Sequence, residues 1–152
     1  MPRPLRRLVP PGLVLCLLLA GCGAGPAPYT GGGVDALQVV EVAPGEGEAA
    51  RAGDTVTVHY SGWLYDENAP DLRGAAFDSS RERGQPFSFL LGAGRVVRGW
   101  DEGVAGMRPG GRRELRIPAD LAYGDRGAGG VIPPGASLLF EVELLGIERP
   151  RD

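Results

Sequence analysis

Seven aromatic side chains and one carboxylate fall in six short pieces of this chain: Val58-His59-Tyr60, Phe77-Asp78-Ser79-Ser80, Pro86-Phe87-Ser88-Phe89, Val96-Val97-Arg98-Gly99-Trp100, Ala122-Tyr123-Gly124 and Leu138-Leu139-Phe140. Gathered at one point they make an apolar pocket nearly free of acid–base groups. Such a pocket suits chemistry that moves no proton and works by shape and exclusion of water. The nucleophilic alternatives lack parts. His59 is the single histidine, so a Ser-His-Asp hydrolase built on Ser79 or Ser80 has little to draw on. The same scarcity leaves a zinc centre without ligands, and no metal or other cofactor is expected. Gly92-Ala93-Gly94 lacks the third glycine of a GxGxxG loop and reads as a turn.

The elements that must position these pieces are strands. Val34 to Val42 alternates loosely before the turn-rich Pro44-Gly45-Glu46-Gly47. Thr55 to Tyr65 alternates clearly, with Val56, Val58 and Tyr60 on one face and Thr55, Thr57 and His59 on the other. Phe87 to Leu91 is a short strand. Arg113, Leu115 and Ile117 alternate with Arg112, Glu114 and Arg116, and Leu138, Phe140, Val142 and Leu144 alternate with Leu139, Glu141, Glu143 and Leu145. The polar stretch Asp66 to Gly74 reads as an extended loop. One helix stands out: Val97, Trp100, Val104 and Met107 recur at helical spacing, Asp101 and Glu102 lie near its start, and Gly106 and Pro109 supply a stop. Five or six strands without βαβ spacing, plus one short helix, imply an α+β domain in which an antiparallel sheet packs on the helix.

With 152 residues and 43% hydrophobic content, the chain has enough for one domain with a real core. Acids outnumber bases 19 to 16, and every base is arginine, which disfavours nucleic acid as a partner. Residues 1–21 read as an export signal: Arg3, Arg6 and Arg7, then the apolar run Leu13 to Ala20, too short to span a bilayer, then a small-residue cleavage site. Leu19-Ala20-Gly21-Cys22 resembles the bacterial lipobox. That resemblance implies cleavage before Cys22, lipidation of its thiol, and a lipoprotein anchored to the cell envelope on the periplasmic side or the outer face of the membrane. Cys16 follows Leu15 and does not fit the pattern. Residues 22–33, poor in bulky groups, are expected to form a flexible linker, and residues 34–149 the folded domain.

From about Val34 to Glu148 the chain resembles FKBP-type peptidyl-prolyl cis-trans isomerases. The resemblance is carried by Val58-His59-Tyr60-Ser61-Gly62, Phe77-Asp78-Ser79-Ser80-Arg81, Val97-Arg98-Gly99-Trp100-Asp101-Glu102-Gly103, Tyr123-Gly124, Val131-Ile132-Pro133-Pro134 and Leu139-Phe140-Glu141-Val142-Glu143-Leu144-Leu145. It implies a twisted antiparallel half-barrel of five to six strands wrapped on one short helix. It further implies a proline pocket whose catalytic residues are Tyr60, Phe77, Asp78, Trp100, Tyr123 and Phe140, with Phe87, Val96, Val97 and Ile132 binding substrate. Trp100 would floor the pocket, Tyr60, Phe87 and Phe140 wall it, and the Tyr123 hydroxyl and Val97 N–H hold substrate carbonyls. The implied partners are proline-containing polypeptides and the macrolide inhibitors of the family, met by a monomer on the membrane.

Three departures accompany the resemblance. The stretch between Tyr60 and Phe77 is longer than in the smallest family members. The loop after Tyr123 carries Gly127-Ala128-Gly129-Gly130 where others carry larger side chains. Neither a domain-sized insertion nor a His-rich tail is present, which disfavours the chaperone-flap and nickel-binding variants. Other readings remain beside this one. Asp78 before Ser79-Ser80 also suits a turn cap, and Val96, Val97 and Ile132 are equally at home in a core. Arg81, Arg83, Arg112, Arg113 and Arg116 read as a solvated face. The competing function is a non-catalytic module that holds proline-containing segments.

Overall fold

In the computed structural model, which describes residues 27–151, six strands form one antiparallel sheet: β1 (Gln38–Ala43), β2 (Thr55–Tyr65), β3 (Arg73–Ser79), β4 (Phe87–Leu90), β5 (Arg112–Ile117) and β6 (Leu138–Glu148). Their order is β1-β5-β6-β2-β3, with β4 also paired to β2. The alternation of β2 is realised as expected: Val56, Val58 and Tyr60 are buried, while Thr55, Thr57 and His59 lie partly in solvent. One edge of β2 runs along β6 from Thr55 to Leu64. The other edge is shared, β4 taking Thr55–Val58 and β3 taking Ser61–Tyr65. This sharing brings Phe77 and Asp78 from β3, Phe87 from β4 and Phe140 from β6 to the same strand as Tyr60.

The sheet closes over a short helix, α2 (Arg98–Val104), which follows the one-turn helix α1 (Ser80–Arg83) in the chain. Two glycines inside α2 let it sit tight on the sheet. A Cβ at Gly99 would stand 2.4 Å from Ile117 Cγ2, and one at Gly103 would stand 2.7 Å from Leu115 Cδ2. The helix propensity lost at two glycines is offset by contact with β5 that no larger residue permits. Arg113 closes the far end of α2 by donating to the carbonyls of Gly103 at 3.0 Å and Ala105 at 2.8 Å. Trp100 and Val104 of α2, Met107 beyond it, and Val56, Val58, Leu115, Ile117, Leu138, Val142 and Leu144 of the sheet make the core. At the C-terminal edge Arg149 grips the buried Asp54 through both carboxylate oxygens, at 2.9 and 3.0 Å, and holds Asp54 down at a pKa of about 2, chiefly through those bonds.

The structure amends several expectations. The loop anticipated over Asp66 to Gly74 is shorter, because β3 already begins at Arg73; the loop is tied by Asp66 N donating to the Leu72 carbonyl at 3.0 Å and by the Asp66 carboxylate accepting Asn68 N at 2.9 Å. β6 runs on to Glu148 with a bulge at Leu145: Val58 pairs with Leu144 but Thr57 with Gly146. The segment expected as flexible linker is docked over its last residues. The Tyr29 hydroxyl donates to the Tyr65 carbonyl at 2.5 Å, Glu67 N donates to the Gly31 carbonyl at 2.8 Å, and Val34 N donates to Ser137 Oγ at 3.2 Å. An aromatic ring with a buried acceptor waiting is enough to pin an otherwise featureless stretch. The proposed signal segment and Cys22 lie outside the described residues, and among the described residues no helix is long and apolar enough to cross a membrane.

Candidate active site

Trp100, on the first turn of α2 and only 4% exposed, is held by rings on every side. Tyr60 meets it edge-on at 4.9 Å and 81°, Phe140 at 5.2 Å and 86°, Phe89 tilted at 5.6 Å, and Phe87 at 6.2 Å. Edge-to-face contacts suit the ring quadrupoles and fix each orientation. The indole Nε1 is buried and has no hydrogen-bond acceptor among the described residues, so packing and not a hydrogen bond positions the ring. Phe77 extends the wall by meeting Phe140 at 5.5 Å and 88°. Gly62, opposite Phe140 on β6 and Asp78 on β3, makes that meeting possible, because a Cβ there would stand 2.7 Å from each ring.

The rings enclose an open-mouthed cavity of about 210 Å³ lined by Tyr60, Phe77, Asp78, Phe87, Arg95, Val96, Val97, Trp100, Tyr123 and Phe140. Nine of the ten residues expected from the sequence to act on or bind substrate are therefore in this one lining. Ile132 is the exception. Paired turn bonds between Ala128 and Ile132, at 2.9 and 3.0 Å, direct Ile132 into the core at 5% exposure and leave the neighbouring Val131 outside. Burial divides the lining: Tyr60, Trp100 and Phe140 are deep, whereas Phe87 and Tyr123 stand at the mouth. Two donors at the cavity have no partner among the described residues, the Val97 N–H that precedes α2 and the Tyr123 hydroxyl. They are free to receive carbonyl oxygens of a bound chain.

Asp78 is the one carboxylate of the lining, and it is fully engaged. It accepts from the Tyr60 hydroxyl at 2.5 Å and is ion-paired to Arg83, whose other nitrogen donates to the Tyr60 oxygen at 3.0 Å. Partial burial works against the charged form, but the bonds from Tyr60 and Arg83 outweigh it, and Asp78 titrates below the ordinary carboxylate range. Tyr60 is pushed above the usual phenol value by burial and by its bond to Asp78, and Tyr123 by burial and the charge of Asp78. Near neutral pH the cavity therefore holds a fixed carboxylate and two fixed phenols, with no group poised to exchange a proton.

Arg83 was expected on a solvated face. The single turn of α1, capped by the Ser79 side chain and closed by Gly84 at φ 66°, swings it back onto Asp78 and over the Tyr60 ring at 5.8 Å. Arg95, on the lip, lines the cavity although it is not among the residues expected to act on or bind substrate, and Phe89, one of the seven aromatics, stands behind Trp100 instead of in the lining. His59 is turned away: its Nδ1 lies 2.9 Å from the buried Ser80 Oγ, which in turn accepts the Tyr60 N–H at 2.8 Å. That bond locks the start of α1 to β2, a structural duty. Among the described residues no cluster of metal-ligating side chains occurs.

Comparison with known proteins agrees with this geometry. The sequence model of the family described as FKBP-type peptidyl-prolyl cis-trans isomerase matches residues 46–145. A protein named FK506-binding protein from Neisseria meningitidis serogroup A is 52% identical over 111 residues, covering 73% of this chain and 95% of that one. The peptidyl-prolyl cis-trans isomerase Fkbp12 of Drosophila melanogaster is 51% identical over 113 residues, covering 74% and 98%. Among solved structures, FkpA from Escherichia coli superposes with a TM-score of 0.62 at 45% identity; the match covers 74% of this chain and 47% of that one, so this chain spans about half the length of FkpA. An α+β domain whose six-stranded antiparallel sheet holds an indole-floored aromatic cavity is thus a member of a known class. The chain belongs to the FKBP-type peptidyl-prolyl cis-trans isomerase family and is an enzyme of that class.

Proposed function

We propose that this cavity speeds rotation about X-Pro bonds by desolvation and by stabilising the twisted imide, in polypeptides exported from the cytoplasm. Rotation about a peptide bond is opposed by about 18–20 kcal/mol because turning it destroys amide resonance. X-Pro bonds populate both isomers and exchange over tens to hundreds of seconds unaided. At the half-turn the C–N bond is single, the nitrogen pyramidal and the carbonyl ketone-like, hence less dipolar than the planar amide. An apolar, water-poor wall favours that species over the planar ground state. Lowering the barrier by about 6–7 kcal/mol corresponds to about 10⁵-fold.

The residues divide the work. The proline ring rests on the Trp100 indole, with Tyr60, Phe87 and Phe140 as walls. The Val97 N–H and Tyr123 hydroxyl hold carbonyls of the bound segment on either side of the turning bond. Tyr60, Asp78 and Arg83 form a fixed polar edge whose dipoles are set before the bond turns. The observation that carries this reading is the cavity itself: three deeply buried rings, Trp100 with Tyr60 and Phe140 against it, and a lone carboxylate already satisfied by its neighbours.

In the same reading the protein is a monomer held to the cell envelope by lipid on Cys22, assists folding outside the cytoplasm, and binds macrolides of the FK506 kind, the ligand that names several of its relatives. Two measurements test it. A protease-free isomerisation assay should show accelerated exchange that an FK506-type macrolide suppresses; exchange no faster than in buffer would refute the catalytic reading and leave a binding module. Mass spectrometry of the membrane fraction should find an acylated N-terminal Cys22, and Cys22→Ser should release the protein; an unmodified Cys22 would refute the anchor.

A further inference from the structure

The cavity lining holds two charged side chains, Asp78 and Arg95, and only one is left over. Asp78 is satisfied by Tyr60 at 2.5 Å and by its pair with Arg83. Arg95, on the lip beside Val96 and Val97, is exposed, and among the described residues no hydrogen bond or ion pair engages its guanidinium. The nearest acids along the chain are occupied. Asp101 accepts the N–H groups of Gly92 at 2.8 Å and Gly94 at 3.0 Å, and Glu102 pairs with Arg98 at 3.0 Å. The Asp101 bonds also fasten the loop that carries Arg95 to α2, so the backbone under Arg95 is fixed while its side chain stays free to reach.

We propose that Arg95 is a specificity residue, selecting proline-containing segments with a carboxylate directly next to the proline. This rests on the isomerase reading of the cavity. With the proline ring on Trp100 and a backbone carbonyl on the Val97 N–H, the bound chain leaves past a lip on which Arg95 stands two residues before Val97. A guanidinium there offers a planar pair of donors matched to a carboxylate, on a long stem that needs no rearrangement of the cavity. The glycine-rich loop Gly127-Ala128-Gly129-Gly130 brings no competing charge. Because Arg95 is exposed, the pair is worth about a two- to fivefold preference in kcat/KM, and no more.

The test compares peptide pairs that differ only as Glu against Gln, placed immediately before or immediately after the proline, in a protease-free isomerisation assay at low salt. The whole protein and its Arg95→Gln and Arg95→Glu variants are each measured on both members of a pair, so the Glu-to-Gln ratio is the readout. In the wild type at least one pair should show a two- to fivefold preference for Glu. That preference should shrink toward unity at 1 M salt, where screening acts over about 3 Å, vanish in Arg95→Gln and reverse in Arg95→Glu. Equal handling of Glu and Gln by the wild type in both pairs, or a preference that survives Arg95→Gln, would overturn the proposal while leaving the isomerase intact. Failure to accelerate even the Gln peptides would remove the isomerase reading and this proposal together.

Discussion

A single methyl group at position 62 tests whether the cavity wall depends on the packing described. A Cβ on Gly62 would lie 2.7 Å from Phe77 Cζ, 2.7 Å from Phe140 Cε1 and 3.0 Å from Phe140 Cδ1. Ordinary contact begins near 3.4 Å, so each ring edge must withdraw by about 0.7 Å. Phe140 has nowhere to go: it is 4% exposed and sits between Trp100 at 5.2 Å and Phe77 at 5.5 Å. Overpacking of this kind costs about 1–3 kcal/mol, which for a domain of this size lowers Tm by roughly 4–12 °C. Displacing Phe140 also tilts the wall beside the indole, and kcat/KM should fall about tenfold, the equivalent of roughly 1.4 kcal/mol. Phe77→Leu removes one of the two obstructing ring edges. The double variant Gly62→Ala/Phe77→Leu should therefore lose less than the sum of the single losses, with a coupling of at least about 0.5 kcal/mol. Thermal unfolding followed by circular dichroism and the protease-free assay supply both readouts. Unchanged Tm and activity in Gly62→Ala, or strict additivity in the double variant, would refute the reasoning.

Further outcomes follow from the same contacts. Arg83→Met removes the cation and its hydrogen bonds to both Tyr60 and Asp78; Asp78, seen by carboxyl NMR titration, should move up toward the ordinary range, and kcat/KM should fall about two- to fivefold, the scale of a partly exposed ion pair. An unmoved Asp78 would show that Arg83 does not hold it. Trp100→Leu keeps an apolar floor but removes ring contacts to Tyr60, Phe87, Phe89 and Phe140, so binding and turnover should fall together, by more than tenfold, while the circular dichroism spectrum stays native; wild-type turnover would rule out this floor. Arg149→Gln tests the C-terminal clasp. Arg149 depresses Asp54 to about 2 in the folded state, so the stability it contributes is present above about pH 4 and is lost as pH falls toward 2. Without Arg149 the folded and unfolded values converge, the neutral-pH stability drops, and the acid limb of the stability curve flattens. An acid limb identical to wild type would show that the clasp does not set it.

Most of the site was readable in the sequence because aromatic residue types declare themselves and strand alternation puts them on a face. Tyr60 follows Val56 and Val58 inward, Phe140 follows Leu138, and Trp100 lies on a helical stripe, so their convergence required only that the strands pair. The rest depends on tertiary context. Arg73-Gly74-Ala75-Ala76 has no apolar alternation, and it is a strand only because β2 offers an edge beyond the end of β4. Arg83 looked like one of many surface arginines until a single helical turn aimed it at Asp78. Ile132 suits a pocket and a core equally by residue type, and only the two-bond turn with Ala128 keeps it out of the cavity lining. Tyr29 stands in a stretch whose composition predicts flexibility, and its anchoring acceptor, the Tyr65 carbonyl, is a backbone group that no residue code reveals. The glycines of α2 have a reason that appears only when Leu115 and Ile117 lie against them.

The claim that catalysis here transfers no proton is tested most directly by the pH dependence of kcat/KM between about pH 5 and 8.5. Asp78 titrates below the usual carboxylate range, Tyr60 and Tyr123 above the usual phenol value, so no group of these three changes charge in that window. A flat profile is predicted. A bell-shaped profile, or a single step of tenfold or more inside the window, would place a proton donor or acceptor in the turnover and contradict the account.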